Sequence, residues 1–567
     1  MIEEIRVQGD LLVVGGGVAG LNAALSAAAA GVKVIVADKA NIEHSGNIAG
    51  GVDHFLAYLE TGAQWDTREA YLDFTANSSR GATDLDVVKQ VYCEELTGAI
   101  QRMDDIGCTL RQPDGSFFRT QSYGQPGPYW INFNGKRMKP LLAKAVRDAG
   151  CTVLARVVIT DLLTGADGVC GAVGFHLREG TFYVIQAKAV LVSTGGTNRL
   201  YQNPTGLSFN TWMCPVNTGD GEAMALRAGA ALANVEYLRM SVVPRGLSAA
   251  GLNAFVGMGG RIVNGLGEDF MTRYDQRGVQ APRYKLVEGV LGELKANRGP
   301  VYLDCRHLDP MALSHLVTTI GYDKDTLPDF IRQKGIDLSK DLLELNPSEG
   351  MQGGPTEVCG SGIKIDPDCS TALSGLYAAG NTADQCRSLH MAVTSGIRAG
   401  RTAGAYALAQ TQLTPLLESQ VIGYREQLFA PLIQTQGRIS WQEFEDVLQR
   451  VITEGLGPVR TAAGLAICRE KLSLLTKQHS LLKANNYHEL CRAHELRNLL
   501  TIAQAMTEAA EFRQESRFGQ SHYRLDFPTT DDDNWLGQIL VRMVDGEPET
   551  SFLSLNYKRG EDHAARD

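Results

Sequence analysis

The chain of 567 residues carries a formal net charge of −10, with 44% hydrophobic and 21% charged residues. The length suggests two to four domains, and the composition excludes disorder as the dominant state. The acidic balance (pI about 5.7), with no run of Lys and Arg to follow a phosphate backbone, excludes a nucleic-acid partner.

The 11 cysteines are odd in number and include no CxxC pair, which argues against a disulfide framework, a structural zinc or an iron–sulfur cluster in this chain. Scattered thiols in a reducing compartment are the expectation. The N-terminus has no charged segment before a long apolar run. The apolar stretch at Leu11 breaks into glycines before it could span a bilayer. A cytoplasmic protein without a membrane span is expected.

In chain order, Leu11–Val14 reads as a short strand, followed by a Gly-rich turn and an Ala-rich helix through Ala30. Val32–Ala37 is a second strand ending at Asp38, so the chain opens with a βαβ unit. Residues 65–150 read as mainly helical, broken by an aromatic loop at Tyr123–Trp130 with Arg137 close by. This loop is a candidate pocket wall. Short runs over 151–195 end in a strand at Ala189–Ser193. Residues 241–354 differ in texture, with helical stretches expected near 283–296 and 326–345. Strand character returns at Gly375–Ala379. From about 410 to 517 the pattern is helical, and Glu489–Glu515 is the clearest amphipathic helix, with Leu490, Ala493, Leu496, Leu500 and Ala503 at helical spacing. The last forty residues are polar, with a turn at Pro528–Asn534.

Gly15, Gly17 and Gly20 form GxGxxG between strand and helix. The first permits the tight turn, the second a close approach of backbone to pyrophosphate, and the third close helix–strand packing. Val18 and Ala19 open the helix, whose free N–H groups suit a phosphate. Asp38, about twenty residues on and followed by Lys39, is placed to accept ribose hydroxyls. The spacing and context predict a dinucleotide site.

Later segments resemble, in order, the FAD-binding elements of the fumarate reductase and succinate dehydrogenase flavoproteins. Ser45-Gly46-Asn47-Ile48-Ala49-Gly50-Gly51 resembles the loop under the flavin. Ser193-Thr194-Gly195-Gly196 resembles A-T-G-G, and Thr218-Gly219-Asp220-Gly221 resembles T-G-D-G. Gly375–Asn381, with Gly380 and Asn381, resembles G-L-Y-A-A-G-E. Arg398–Gly404 resembles the closing F-G-R-x-A-G helix, with Ser395 and Ile397 just before it. The resemblance implies an α/β fold. It would consist of a Rossmann-like FAD-binding domain (1–240 and 355–410), an inserted α+β capping domain (241–354), a C-terminal helical domain (411–525) and a tail (526–567). Ser45 stands where covalent members carry their flavin-linked histidine, and His44 lies one place earlier, so non-covalent FAD is implied.

Glu43-His44-Ser45-Gly46, Gln112-Pro113-Asp114-Gly115, Phe182–Val190 and His488–Leu496 are similar to the adenylylsulfate reductase flavoprotein branch. Resemblance to this branch implies a small anionic substrate and a separate small iron–sulfur subunit with two four-cysteine clusters, and leaves homo- or hetero-oligomers open. Gly260–Met271 resembles the G-x-x-x-N-x-x-G-E-R-F-M loop of the capping domain. Ala281-Pro282-Arg283-Tyr284 aligns with the A-P/S-R-D that carries the proton-donating arginine, with Tyr284 in place of the acid. Arg283 is thus a candidate proton donor or anion clamp. His390 sits at the interval of the histidine in H-K-F-S-S-G-S-F-T-E-G-R and is a candidate partner of flavin or substrate. The substrate histidine before M-G-G-I is missing from Thr356–Ile363. The histidine of G-S-H-S-G-E is lost near Gly350, and the flavin-side asparagine is lost near Leu56. Neither a dicarboxylate nor adenylylsulfate is therefore supported by the residues. The alternatives are an oxidase using oxygen, a fumarate reductase-like alkene reductase, and an electron-transfer subunit without its own substrate.

Overall fold

A computed structural model describes residues 2–555. Its centre is a seven-stranded sheet in the order Thr152–Ala155, Val34–Asp38, Glu4–Val14, Phe182–Val192, Gly168–His176 and Val157–Gly165, with Leu376–Ala378 also paired to Phe182–Val192. We label Glu4–Val14 β1, Val18–Ala29 α1, Val34–Asp38 β2 and Phe182–Val192 β3. The pairs of β1 with β2 and with β3 are parallel. A central parallel strand is covered on both faces, so the run Leu11–Val14 is continuous rather than alternating and is wholly buried. The strand nevertheless begins at Glu4, well before the expected Leu11. Its first half alternates, with Ile5 and Val7 opposite Tyr183 and Ile185 at a half-covered edge.

Behind the sheet, α1 lies against the helix Leu389–Ala409. Contact is close because small residues face each other. A side chain at Gly396 would run into the Ala19 carbonyl oxygen, and one at Gly400 into that of Ala23. The helix that closes the FAD-binding resemblance therefore clamps the helix that opens it.

Chain segment 241–354, which we call the cap, holds an antiparallel sheet in the order Val242–Pro244, Leu343–Pro347, Val301–Asp304, Arg261–Val263. The expected helix at 283–296 is present as Arg283–Lys295. The second expected helix, 326–345, is corrected: Thr326–Gln333 is helical, and the chain then turns into the strand Leu343–Pro347. A further helix, Pro310–Tyr322, begins at Asp309, whose carboxylate accepts from the amides of Met311 and Ala312. That N-cap followed by proline is a start signal legible in sequence. The two crossings into the cap pair with each other, Leu238–Arg239 against Met351–Gln352.

Helices Glu418–Ile433, Trp441–Gly455, Ala462–His479 and Tyr487–Phe512 make up the C-terminal part. The last of these is not amphipathic in the ordinary sense. Arg492, His494, Glu495, Asn498 and Thr507 are buried along with its apolar residues, because it packs into the protein on several sides. The expected tail is also corrected over its described residues. Gly537–Val544 and Glu547–Ser554 form a hairpin added to Leu232–Ala233, and residues 556–567 lie outside the described range.

The helix clamp generates a contrast. Gly400→Ala forces a Cβ against backbone and should destabilise by about 1–3 kcal/mol. Gly423→Ala, in a helix with open space around it, should be neutral or stabilise by up to about 1 kcal/mol. Thermal unfolding of the two variants checks this; equal melting temperatures would refute the clamp.

Candidate active site

A cavity with about 1830 Å³ of empty space, part of it open to solvent, runs from the turn after β1 to the cap. At the β1 end the turn is set by Gly15, at φ +100 and with a Cβ position about 2.6 Å from the Ser193 carbonyl oxygen. Only glycine tolerates both. Gly17, Val18 and Ala19 line the cavity. Gly17 is the N-cap of α1 and supplies no side chain, so the first-turn amides have no side-chain partner. Around Gly17 a Cβ would meet only Ser193 O at 3.8 Å, leaving room at the very point where backbone amides and helix dipole favour an anion. Gly20 lies behind, packed on Gly15 O and Ser193.

Asp38 ends β2 on the cavity wall and is held by two amides, from Gly16 to Oδ2 at 2.7 Å and from Ala40 to Oδ1 at 2.7 Å. Beside it, Lys39 Nζ donates to Asp220 Oδ2 at 2.6 Å and to Glu495 Oε1 at 3.3 Å. Burial works against both charges. Lys39 nonetheless keeps the Asp220 carboxyl below its usual range, and Asp220 and Glu495 keep Lys39 above its own. Ser45 donates to Gly16 O at 3.2 Å, and the Thr194 hydroxyl accepts from Gly221 N at 2.9 Å. Ser45, Gly46, Thr194, Gly195, Asp220, Gly380 and Asn381 all line the cavity. A turn of bare amides, a ribose-side carboxylate and a loop of small residues fit an extended flavin dinucleotide.

Toward the cap, Arg283 is the first residue of its helix. Its Nε donates to Glu357 Oε1 at 2.6 Å and its Nη1 to Ser241 Oγ at 2.8 Å. The guanidinium lies 4.2 Å from the Tyr123 ring centroid and 5.3 Å from that of Trp212, a cation–π arrangement. Arg239, from the crossing strand, donates Nη2 to the same carboxylate at 3.2 Å. Burial alone would raise the Glu357 pKa, but Arg283 and Arg239 bring it down to about 2. Arg387 lines the wall nearby, bonded to Glu222 at 3.0 Å.

On the strand His54–Leu56, His54 also faces the cavity. Its Nδ1 lies 2.5 Å from Asp53 Oδ1, and its ring stacks on Trp130 at 4.2 Å and 14°. Asn253 of the cap donates to Asp53 Oδ2 at 3.0 Å. Asp323 and Lys324 line the cap side.

Not every expected residue joins this wall. His390 is 1% exposed and faces inward, with ring contacts to Tyr92 and Phe55 and a bond to Ser388. Burial first, and then nearby His54, push its pKa down to about 3. Tyr284 points into a cluster of Ala82, Tyr237, Cys359 and Phe518, one position round the helix from Arg283. Ser395 is fully buried and accepts from Gly380 N at 3.0 Å, fixing that turn from behind. Ile397 packs in the core. Gly196 abuts Arg387. Gly50 and Gly51 meet the cap at Lys324 and Asp323, where Gly51 has φ +139. The Tyr123–Trp130 loop supports the wall through Arg283 and His54, whereas Arg137 is exposed. Sequence reasoning missed Asp53, His54, Trp212, Arg239 and Glu357. Glu357 stands in the segment where the fumarate reductases carry their substrate histidine.

The family described as "FAD binding domain" matches residues 10–396, and "Fumarate reductase flavoprotein C-term" matches residues 445–563. L-aspartate oxidase of Streptomyces coelicolor is 28% identical over 577 residues, covering 95% of this chain and 92% of that protein. The 8-methylmenaquinol:fumarate reductase flavoprotein subunit of Wolinella succinogenes is 26% identical over 576 residues, covering 94% and 88%. The structure of adenylylsulfate reductase from Archaeoglobus fulgidus superposes with a TM-score of 0.87 at 23% identity, covering 98% of this chain and 97% of that one. The adenylylsulfate reductase likeness is one of fold; the chain itself belongs to this FAD-binding family, with the fumarate reductase flavoprotein C-terminal family following it, and is an FAD-dependent oxidoreductase.

Proposed function

We propose that the protein oxidises or reduces a small organic or sulfur-containing anion held between the cap and the FAD, and exchanges the electrons with a separate small iron–sulfur protein. The carrying observation is the arginine pair at the cap end. Arg283 and Arg239 share one carboxylate, and Arg283 Nη2 is not among the nitrogens that Glu357 and Ser241 engage. A planar guanidinium held in this way suits an incoming oxyanion better than a lysine would. In this reading residues 1–240 and 355–410 hold the cofactor, 241–354 covers the substrate, 411–525 buttresses both, and the hairpin of Gly537–Val544 and Glu547–Ser554, within the tail 526–567, completes the edge of a small sheet.

Bound FAD supplies the electron-pair chemistry. The α1 amides would hold its diphosphate and Asp38 its ribose, with Ser45, Gly46, Thr194, Gly195, Gly380 and Asn381 along the ring system. Glu357 keeps Arg239 and Arg283 oriented, and Trp212 and Tyr123 keep water from the Arg283 faces. A separate electron partner is supported by the relatives named as flavoprotein subunits. The relative named L-aspartate oxidase supports oxygen as the competing acceptor.

With Ser45 at the attachment position, acid precipitation should release all the yellow colour into the supernatant; colour retained on the pellet overturns non-covalent binding. Arg283→Lys should keep FAD and fold. It should weaken binding of the effective anion by about 10- to 100-fold, the worth of a charged hydrogen bond. Anaerobic mixing with a panel of small carboxylates, sulfonates and sulfur oxyanions, followed at the flavin absorption, identifies that anion. A panel without any spectral response, or full affinity in Arg283→Lys, counts against the reading. Stoichiometric peroxide on admitting air would move the acceptor from a partner to oxygen.

A further inference from the structure

Electron-pair transfer to or from a small organic anion also moves a proton. The arginine that donates it in the fumarate reductases has an acidic neighbour; beside Arg283 that neighbour is replaced by Tyr284, which points into a buried cluster away from the cavity. Arg283 is held charged: burial opposes the cation, but Glu357 outweighs it and raises the pKa further. His390 is shut off from the cavity, and the Tyr123 hydroxyl is pushed by burial up to about 12. Lys324 is paired with Asp323. His44 reaches the cavity but is exposed and has no carboxylate partner among the described residues.

We propose that His54, held by Asp53, is the proton port of this cavity: it takes up and returns the proton that travels with each electron pair exchanged there. The inference rests on the reading that the cavity holds flavin and a small anion. Three features of the geometry carry it. Asp53 is 2% exposed and lies against Nδ1, where its carboxylate favours the protonated nitrogen; Asn253 Nδ2 is 3.3 Å from the same atom, and Nε2 has no hydrogen-bond partner among the described residues. Trp130 stacks on one ring face and restricts rotation. Asn253 reaches across from the cap to Asp53, so the pair is complete only where cap and base meet. The pairing of a histidine with a buried carboxylate that orients it is the arrangement general acid–base chemistry uses.

Atoms and electrons balance in both directions. In oxidation, bound FAD would supply the two-electron acceptor for the hydride released when a substrate C–H bond breaks with its electron pair. On the neighbouring atom an X–H bond breaks, its electron pair stays to form the new double bond, and the proton goes to Nε2 of neutral His54. In reduction the imidazolium returns that proton. The substrate class is therefore a small anion bearing an ionisable hydrogen next to the oxidised carbon.

Several charged groups face His54. Asp53 lies on its own segment, Asp323 and Lys324 come from the cap, Glu357 follows the cap, and His390 lies behind. Burial disfavours the imidazolium, but Asp53, with Asp323 and Glu357 further away, outweighs it and raises the His54 pKa. Protonated His54 thus persists to higher pH than a free histidine.

The test is the potential of the bound flavin against pH, by photoreduction of the FAD-loaded protein across the range where histidine titrates. Its slope counts protons taken up per electron pair. Wild type should show a window with one more proton per pair than His54→Gln. Asp53→Asn should move that window down by about 1–3 pH units, the loss of a close opposite charge. Identical slopes in wild type and His54→Gln overturn the proposal. If His54→Gln fails to retain FAD, an unmoved window in Asp53→Asn overturns it instead. Arg283→Lys should leave the proton count unchanged. Loss of every anion response with the window intact therefore sinks the functional reading and not the proton port, and the reverse result sinks only the port.

Discussion

Glu357 takes hydrogen bonds from an arginine of the cap helix and from an arginine of the strand that leads into the cap. Its side chain is only 11% exposed, on the cavity wall, so both contacts are screened less than surface ion pairs. Removing Arg283 would leave the carboxylate on Arg239 alone and untie the cap helix from the segment that follows the cap. The cap is therefore not a flap resting on the cavity. Its position is specified by an electrostatic requirement that also aims Arg283, and the aromatic rings of Tyr123 and Trp212 fix the remaining freedom of that side chain.

The same principle recurs around the cavity. Lys39 answers Asp220 and Glu495, Arg387 answers Glu222, and Lys324 answers Asp323. Opposite charges are interleaved, so the wall attracts anions weakly over long distances and sorts them by geometry at contact. Recognition by a few oriented donors depends on a rigid scaffold. Here the rigidity comes from the parallel strands and from the small-residue contact between α1 and Leu389–Ala409.

The dinucleotide turn was legible because its demands are local. Gly15 needs a positive φ and Gly20 must lie against the strand, and both follow from a few consecutive residues. The α/β core and the C-terminal helices followed from hydrophobic period. The first half of β1 was hidden because an alternating edge has no apolar run, and the terminal hairpin because its second strand, Glu547–Ser554, is polar and largely exposed, although the apolar run in Gly537–Val544 was there to be read. At the cap end, Arg283 could be placed from register. Glu357 and His54 could not, since what gives them meaning lies far along the chain: Arg239 is 118 positions from Glu357, and Asn253 is 199 from His54. His390 shows the limit of spacing. Its interval puts it on the right helix, but which face of that helix meets the cavity is decided by packing against Tyr92 and Phe55.

Lys39, on the nucleotide wall, is bonded to Glu495 across 456 positions of chain, and Asp220 to Asn498 across 278. Both partners sit on the helix Tyr487–Phe512. During synthesis at about 5–20 residues per second, the turn after β1 would leave the ribosome roughly 20–90 s before the helix that neutralises its neighbours. Until then Lys39 lacks its second carboxylate, and Asp220, held by Lys39 and the Thr218 hydroxyl, lacks its amide donor. Cofactor capture by a nascent chain would therefore wait for its last large helix, and a chain interrupted before that helix would carry the whole glycine motif without the carboxylate of Glu495 and the amide of Asn498 that hold its surroundings in place.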